Sequence, residues 1–223
     1  MIVEIYDTRL GRNRPNHTLP KNAHGITVVL ADGTLPIAVP FGVARALAVK
    51  EPIDVLRILC HGNEGELELG KEEINFATVG NFKLLDGAFQ KDALIVLYSC
   101  STVKNLKPSI GRGSDPFLSA VMTYVKRIAD IAKVPVMGSP ELQYYSDHGL
   151  HFGDWEGGGG VYVITPAGTV VRVPALGSWH EDDLVLAGLR KNEIRLIKQE
   201  RGGHWRSGEP FPADEPIWRG NRF

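Results

Sequence analysis

Three apolar runs in the middle of the chain limit its architecture more than any other feature. Residues 53–60 read IDVLRILC, residues 93–98 read ALIVLY, and residues 134–137 form a shorter third run. None alternates cleanly between apolar and polar positions. That is the pattern of strands covered on both faces, as in parallel sheets. Between the first two runs, Phe76, Val79, Phe82 and Leu85 recur at helical spacing within residues 75–89. Between the second and third, Phe117, Val121, Val125 and Ile128 form one stripe within residues 116–132, and Ser114-Asp115-Pro116 supplies a start signal. The order strand, helix, strand, helix, strand predicts an α/β fold: an open, mostly parallel sheet flanked by helices and joined by right-handed crossovers.

The flanks predict additions to that core. Residues 2–6 read as a short strand. Residues 26–30 are β-branched and run into Ala31-Asp32-Gly33-Thr34, after which residues 35–39 resume an extended pattern, so an N-terminal β-hairpin is expected. Residues 43–50 suit a helix that Pro52 stops. A C-terminal β-hairpin is expected from residues 161–164 and 169–173 around Thr165-Pro166-Ala167-Gly168. Residues 181–200 read as one helix. Glu181, Asp182 and Asp183 open it, Arg195, Lys198 and Arg201 close it, and Gly202-Gly203 ends it, a polarity that matches the helix dipole. One α/β domain over residues 1–200 and an irregular tail over 201–223 follow. The tail holds Trp205 and Trp218 with Arg201, Arg206, Arg219 and Arg222, a composition suited to a protein partner or to packing back on the domain.

Composition narrows the function classes. Lys and Arg total 25 against 26 Asp and Glu, a net charge of −1, which argues against nucleic-acid binding through bulk positive charge. No apolar run approaches the ~20 residues that cross a bilayer, so membrane insertion is not expected. The first residues lack a basic start and a long apolar stretch, which predicts a cytoplasmic protein, or one exported without a cleavable signal peptide. The chain has two cysteines, Cys60 and Cys100, too few for a disulfide scaffold. Residues 157–160 are all glycine, but no Lys-Ser/Thr follows as in a phosphate loop. His148 and His151 lie near carboxylates without a tight zinc signature. Neither a metal nor an organic cofactor is expected.

Two strand ends carry the candidate chemistry. The first apolar run ends at Cys60 and passes into His61-Gly62; the second ends at Tyr98 and passes into Ser99-Cys100-Ser101. In open parallel sheets, ligands sit outside the carboxyl ends of the strands. If the two strands are neighbours, His61 and Cys100 meet at one edge as a Cys–His dyad, with the imidazole taking the thiol proton and the thiolate attacking a carbonyl. Gly62 would let a backbone N–H approach a substrate oxygen. Cys60, inside its apolar run, reads as core packing, whereas Cys100 lies past its run among small polar residues. Ser99 and Ser101 are alternative nucleophiles, but no Gly-x-Ser-x-Gly elbow surrounds either.

Further landmarks follow in order. They are the Gly-rich segment from His61 to Gly70, Tyr98-Ser99-Cys100, a helix start from Gly113 to Leu118, a strand running from Val134 to Ser139, and Gly153-Asp154-Trp155. Together, over residues 53–156, they resemble the caspase-like cysteine peptidases, the superfamily of caspases, legumains, gingipains, clostripains and separases. The fit is better to a bacterial branch found at the front of large repeat-rich surface proteins. The residue before the His is commonly Ser or Gly in these families and is Cys60 here. The resemblance implies a caspase-like sheet, His61 as base or orienter, Cys100 as nucleophile, and the Gly62 and Cys100 amides as the oxyanion site. It implies hydrolysis of a protein or peptide substrate without a cofactor. It also implies that the loop over residues 144–156 builds the substrate pocket. There Asp147 or Asp154 would favour a basic residue before the scissile bond, beside Trp155, although Asp154 could equally cap a turn and Trp155 simply pack. Arg112 then becomes a self-processing site. Two alternatives keep the same fold: a catalytically inactive interaction or scaffold module, and a delivered effector or toxin domain using the same dyad.

Overall fold

The computed structural model describes residues 1–10, 26–63, 65–100, 102–103, 109–110, 124–139, 144–146, 149–151, 161–173 and 181–202. Its strands, in chain order, are β1 (Ile2–Asp7), β2 (Ile26–Ala31), β3 (Ile53–Leu59), β4 (His61–Gly62), β5 (Leu67–Glu68), β6 (Phe89–Tyr98), β7 (Val136–Gly138), β8 (Tyr144–Ser146), β9 (Gly149–His151), β10 (Val161–Ile164) and β11 (Val170–Val173). The helices are α1 (Ala38–Ala48), α2 (Tyr124–Ala132), α3 (Glu181–Leu186) and α4 (Lys191–Gly202), with a longer 3₁₀ segment at Val79–Leu85.

Seven strands form one mixed sheet in the order β11-β10-β7-β6-β3-β1-β2. The five from β2 to β7 are parallel, and β10 and β11 continue the sheet antiparallel. The apolar runs lie where their pattern requires: β3 sits between β1 and β6, and β6 between β3 and β7. Side chains alternate between two cores. Leu56, Ile58, Cys60, Ile95 and Leu97 pack with Phe41 of α1, with Val79, Phe82 and Leu85 of the 3₁₀ segment, and with Val125 and Ile128 of α2. Val55, Leu59, Leu94, Val96 and Tyr98 pack with Leu184 of α3 and with Ile194 and Ile197 of α4. The sheet is therefore flanked by helices on both faces, which explains why its central strands lack a polar side.

Three local expectations are corrected. The N-terminal hairpin does not form: β2 pairs parallel with β1, and the chain after it turns into α1. Asp32 accepts hydrogen bonds from the amides of Thr34 and Leu35 and from the Thr34 hydroxyl, a side-chain-closed turn that leads away from a returning strand. The segment 75–89 winds only at Val79–Leu85, as 3₁₀ helix, and Phe76 is exposed. Asn75 accepts from the Ala77 amide and Thr78 donates to the Glu73 carbonyl, so these side chains compete with a helical backbone. The single helix over 181–200 is two, α3 and α4, separated at Gly188, whose φ of +83° suits glycine. Glu193 then accepts the Arg190 amide at 2.6 Å and opens α4, so the acidic start and the basic end belong to different helices. The C-terminal hairpin forms as expected, from β10 and β11. The upper half of the stripe expected over 116–132, and the tail beyond residue 202, lie outside the described residues.

Candidate active site

Parallel register brings the two strand ends together. Leu59 of β3 pairs with Tyr98 of β6, the last pair of the ladder, so the chain segments that run on into Cys60-His61 and Ser99-Cys100 leave the sheet side by side. Their first residues are in contact, because the Cys60 Sγ and Ser99 Oγ approach to 3.2 Å in the core. Beyond Cys60 the chain leaves the β3 ladder for β4 and stays close to the other strand end: a Cβ at Gly62 would lie 3.0 Å from the Ser99 Cβ and 3.4 Å from the Cys100 carbonyl oxygen. His61 and Cys100 are both half-buried, each past the last strand residue that packs in a core.

The two thiols have opposite environments. Cys60 is 1% exposed, and burial pushes its thiol up to about 12, only partly offset by the Ser99 hydroxyl. A neutral buried thiol is a poor nucleophile. Ser99 is likewise buried and engaged with Cys60, which removes it as a candidate nucleophile. Ser101 lies outside the described residues. Neither cysteine is in a disulfide.

This environment has a consequence for alkaline stability. The folded state holds the Cys60 proton more tightly than the unfolded chain, whose thiol has the ordinary value near 9.0. The contribution is intact below that pH and is lost as pH rises toward the folded value of about 12. Tyr98 and Tyr124, both buried and shifted upward from 10.0, add in the same direction at higher pH. Cys60→Ala is therefore expected to flatten the fall in unfolding free energy between about pH 9 and pH 10. Urea unfolding of both proteins at stepped pH measures it.

A second group of residues fixes the segment that follows His61. β4 and β5 form a short antiparallel ladder in which His61 pairs with Glu68 and Gly62 with Leu67. Asn63 closes its tip by donating its amide to the Glu66 carbonyl at 3.0 Å. On the far side, Leu67 and Ile74 exchange two backbone hydrogen bonds of 2.9 Å. The exit is anchored by Asp7, the fully buried last residue of β1. Asp7 accepts from the Arg9 amide and guanidinium and from the Gly70 amide, while Arg9 Nη2 donates to the Gly70 carbonyl. Gly70 itself is left-handed, with φ of +69°, and a Cβ there would meet the Ile37 backbone at 3.2 Å.

Behind the strand ends, on the α4 face, lies a buried ionic network. Arg57 of β3 donates Nε and Nη2 to the Glu200 carboxylate at 2.9 and 2.8 Å, and the Tyr98 hydroxyl donates to the same group at 2.9 Å. Glu4 of β1 lies 4.0 Å from Arg57 Nη1. Burial opposes the charge on Arg57, but Tyr98, Glu200 and Glu4 outweigh it and hold the guanidinium above its ordinary range. Arg57 sits inside its apolar run and is absent from the residues singled out by sequence. A lone Arg in a strand covered on both faces was the available signal, since it requires a buried acidic partner.

Asp147, Asp154 and Trp155, and the Arg112 loop, lie outside the described residues. β8 and β9 form a short antiparallel ladder on either side of Asp147. Among the described residues no group of three or more His, Cys, Asp or Glu could hold a metal ion, and no helix is long and apolar enough to cross a membrane. Residues 21–109 match a family described as a domain of unknown function, DUF4347. That stretch contains both His61-Gly62 and Tyr98-Ser99-Cys100 and ends before α2. No curated protein matches the chain.

Proposed function

We propose that the protein is a cysteine-dependent peptidase of the caspase-like type, with Cys100 as nucleophile and His61 as base. The observation that supports this reading is the parallel pairing of Leu59 with Tyr98, which brings the segments carrying His61 and Cys100 to the edge where open parallel sheets bind ligands. The half-exposure of Cys100, against full burial of Cys60, supports a reactive role for the former.

In this mechanism the Cys100 thiol gives its proton to a His61 ring nitrogen, and the thiolate sulfur adds to the substrate carbonyl carbon. Electrons shift to the carbonyl oxygen, which the amides of Gly62 and Cys100 stabilise. The C–N bond then breaks as His61 returns the proton to the leaving amine. Water, deprotonated by His61, hydrolyses the thioester, releases the carboxylic acid and restores the thiol. A preference for a basic residue before the scissile bond would come from Asp147 and Asp154.

The test is labelling of the intact chain by an acyloxymethyl ketone peptide probe ending in Arg or Lys, read by peptide mass. Modification is expected at Cys100, to be lost in His61→Ala, with Cys60 untouched. Equal labelling of wild type and His61→Ala, or none at Cys100, would overturn the catalytic reading and favour an interaction module.

A further inference from the structure

We propose that Glu68 positions the His61 imidazole, extending the dyad to a Cys100–His61–Glu68 triad; this rests on the catalytic reading above. Glu68 is the residue directly opposite His61 in the β4–β5 ladder. Opposed residues in an antiparallel pair project to the same face, with Cβ atoms about 4.5–5.5 Å apart. A glutamate side chain spans that gap to a ring nitrogen by torsion alone, and both residues are half-buried.

The backbone that carries Glu68 is held on every side. Leu67 and Leu69, its neighbours, are fully buried. Leu67 is bonded to Ile74, and Gly70 is bonded to Asp7 and Arg9. Lys71 donates its amide to the Leu35 carbonyl, and Glu72 accepts the Ile37 amide at the start of α1. The backbone at Glu68 is therefore a fixed point from which its carboxylate can reach toward His61, which a group that orients a base requires.

The charges around it fit the same role. Arg9 is the cation whose field Glu68 reaches, but its guanidinium is already held by the Asp7 carboxylate and the Gly70 carbonyl. Glu73 interacts with the carboxylates of both Glu66 and Glu68 in the same corner. Cys60, from the core side, also feels Glu68. A carboxylate placed so favours the imidazolium that forms when Cys100 gives up its proton. One ring nitrogen takes that proton while the other donates its N–H to the Glu68 carboxylate. Such a third group is the usual partner of a nucleophile–base pair.

The experiment compares wild type, Glu68→Gln and Glu68→Asp in the full chain by two readouts. The first is the rate and pH profile of Cys100 alkylation by iodoacetamide. The second is the ¹⁵N spectrum of the His61 ring, assigned with His61→Ala, which reports tautomer and hydrogen bonding independently of any peptidase activity. Glu68→Gln is expected to slow alkylation by at least about tenfold, displace its pH profile and move the His61 ring signals. Glu68→Asp is expected to recover part of both. Unchanged ring signals in Glu68→Gln would overturn the proposal, as would moved signals with an unchanged rate. A fall in thermal stability common to both variants, with the His61 signals still in place, would assign Glu68 a purely structural role and also overturn it. Resistance of wild-type Cys100 to alkylation, with ring signals that still respond to Glu68→Gln, would instead overturn the peptidase reading and leave the Glu68–His61 pairing standing.

Discussion

Arg57→Met is expected to cost about 3–5 kcal/mol of stability, because it leaves buried carboxylates without their counter-ion. Glu4 and Glu200 are both fully buried in side chain, and Arg57 is 5% exposed. With Arg57 gone, one or both acids must take up a proton or open the helix–sheet contact to reach water. For a chain of this length each kcal/mol moves the melting temperature by roughly 2–4 °C, so a fall of roughly 6–20 °C is expected in a thermal unfolding scan. The companion variant decides the mechanism. Arg57→Met combined with Glu4→Gln and Glu200→Gln is expected to recover a large part of the loss, since neutral amides avoid the uncompensated charge. A triple variant no more stable than Arg57→Met would show that the loss comes from packing of the Arg57 stem instead.

Gly62→Val is expected to abolish most Cys100 reactivity while leaving the fold in place. The position has no room for a side chain: its Cβ would meet the Ser99 Cβ at 3.0 Å, the Glu66 carbonyl at 3.3 Å and the Cys100 carbonyl at 3.4 Å. Two of these are backbone atoms, and the third is the first atom of a buried side chain, so none can rotate away. The two strand ends must then separate by a few tenths of an ångström for alanine and by more for valine. A displacement near 1 Å between reacting groups costs about a hundredfold in rate, which is the loss expected for probe labelling of Cys100. The contrast is Gly42→Ala in α1, where a Cβ meets nothing within 4 Å. That change is expected to stabilise the helix by roughly 0.5–1 kcal/mol and to leave labelling unaltered. Equal labelling of Gly62→Val and wild type would show that close approach of the strand ends does not set Cys100 reactivity.

The sheet was legible because its signal is redundant. Nearly every residue of the 53–60 and 93–98 runs is buried on one face or the other, the exception being the half-exposed Asp54 near the start of β3, and Arg57 is the one charged residue among those buried. The strand ends followed from those runs, so bringing the segments that lead to His61 and Cys100 to one edge needed one assumption, adjacency of β3 and β6, that the topology satisfies. Local turns were less legible because single side chains decide them. Asp32, read as the corner of a hairpin, closes a turn into α1 through its own carboxylate. Asn75 and Thr78 shorten a helix that the spacing of Phe76 and Val79 suggested. Glu68 gave no sequence signal, since its pairing with His61 depends on where a hairpin of a few residues closes. The Glu200 contact joins residues 143 positions apart, a distance over which no periodicity speaks.

The central place of β3 and β6 bears on how the protein can move. Both strands have hydrogen-bonded neighbours on either side and a helical layer on each face. Their amides are the kind that exchange with solvent only when the whole domain opens, at the upper end of the local stability scale. The segments that carry His61 and Cys100 thus extend directly from the two strands held most firmly among the described residues. If the proposed peptidase acts there, adaptation to different substrates falls to the segments around the strand ends, and a bound peptide probe is expected to quench exchange in those segments while leaving the strands beneath unchanged.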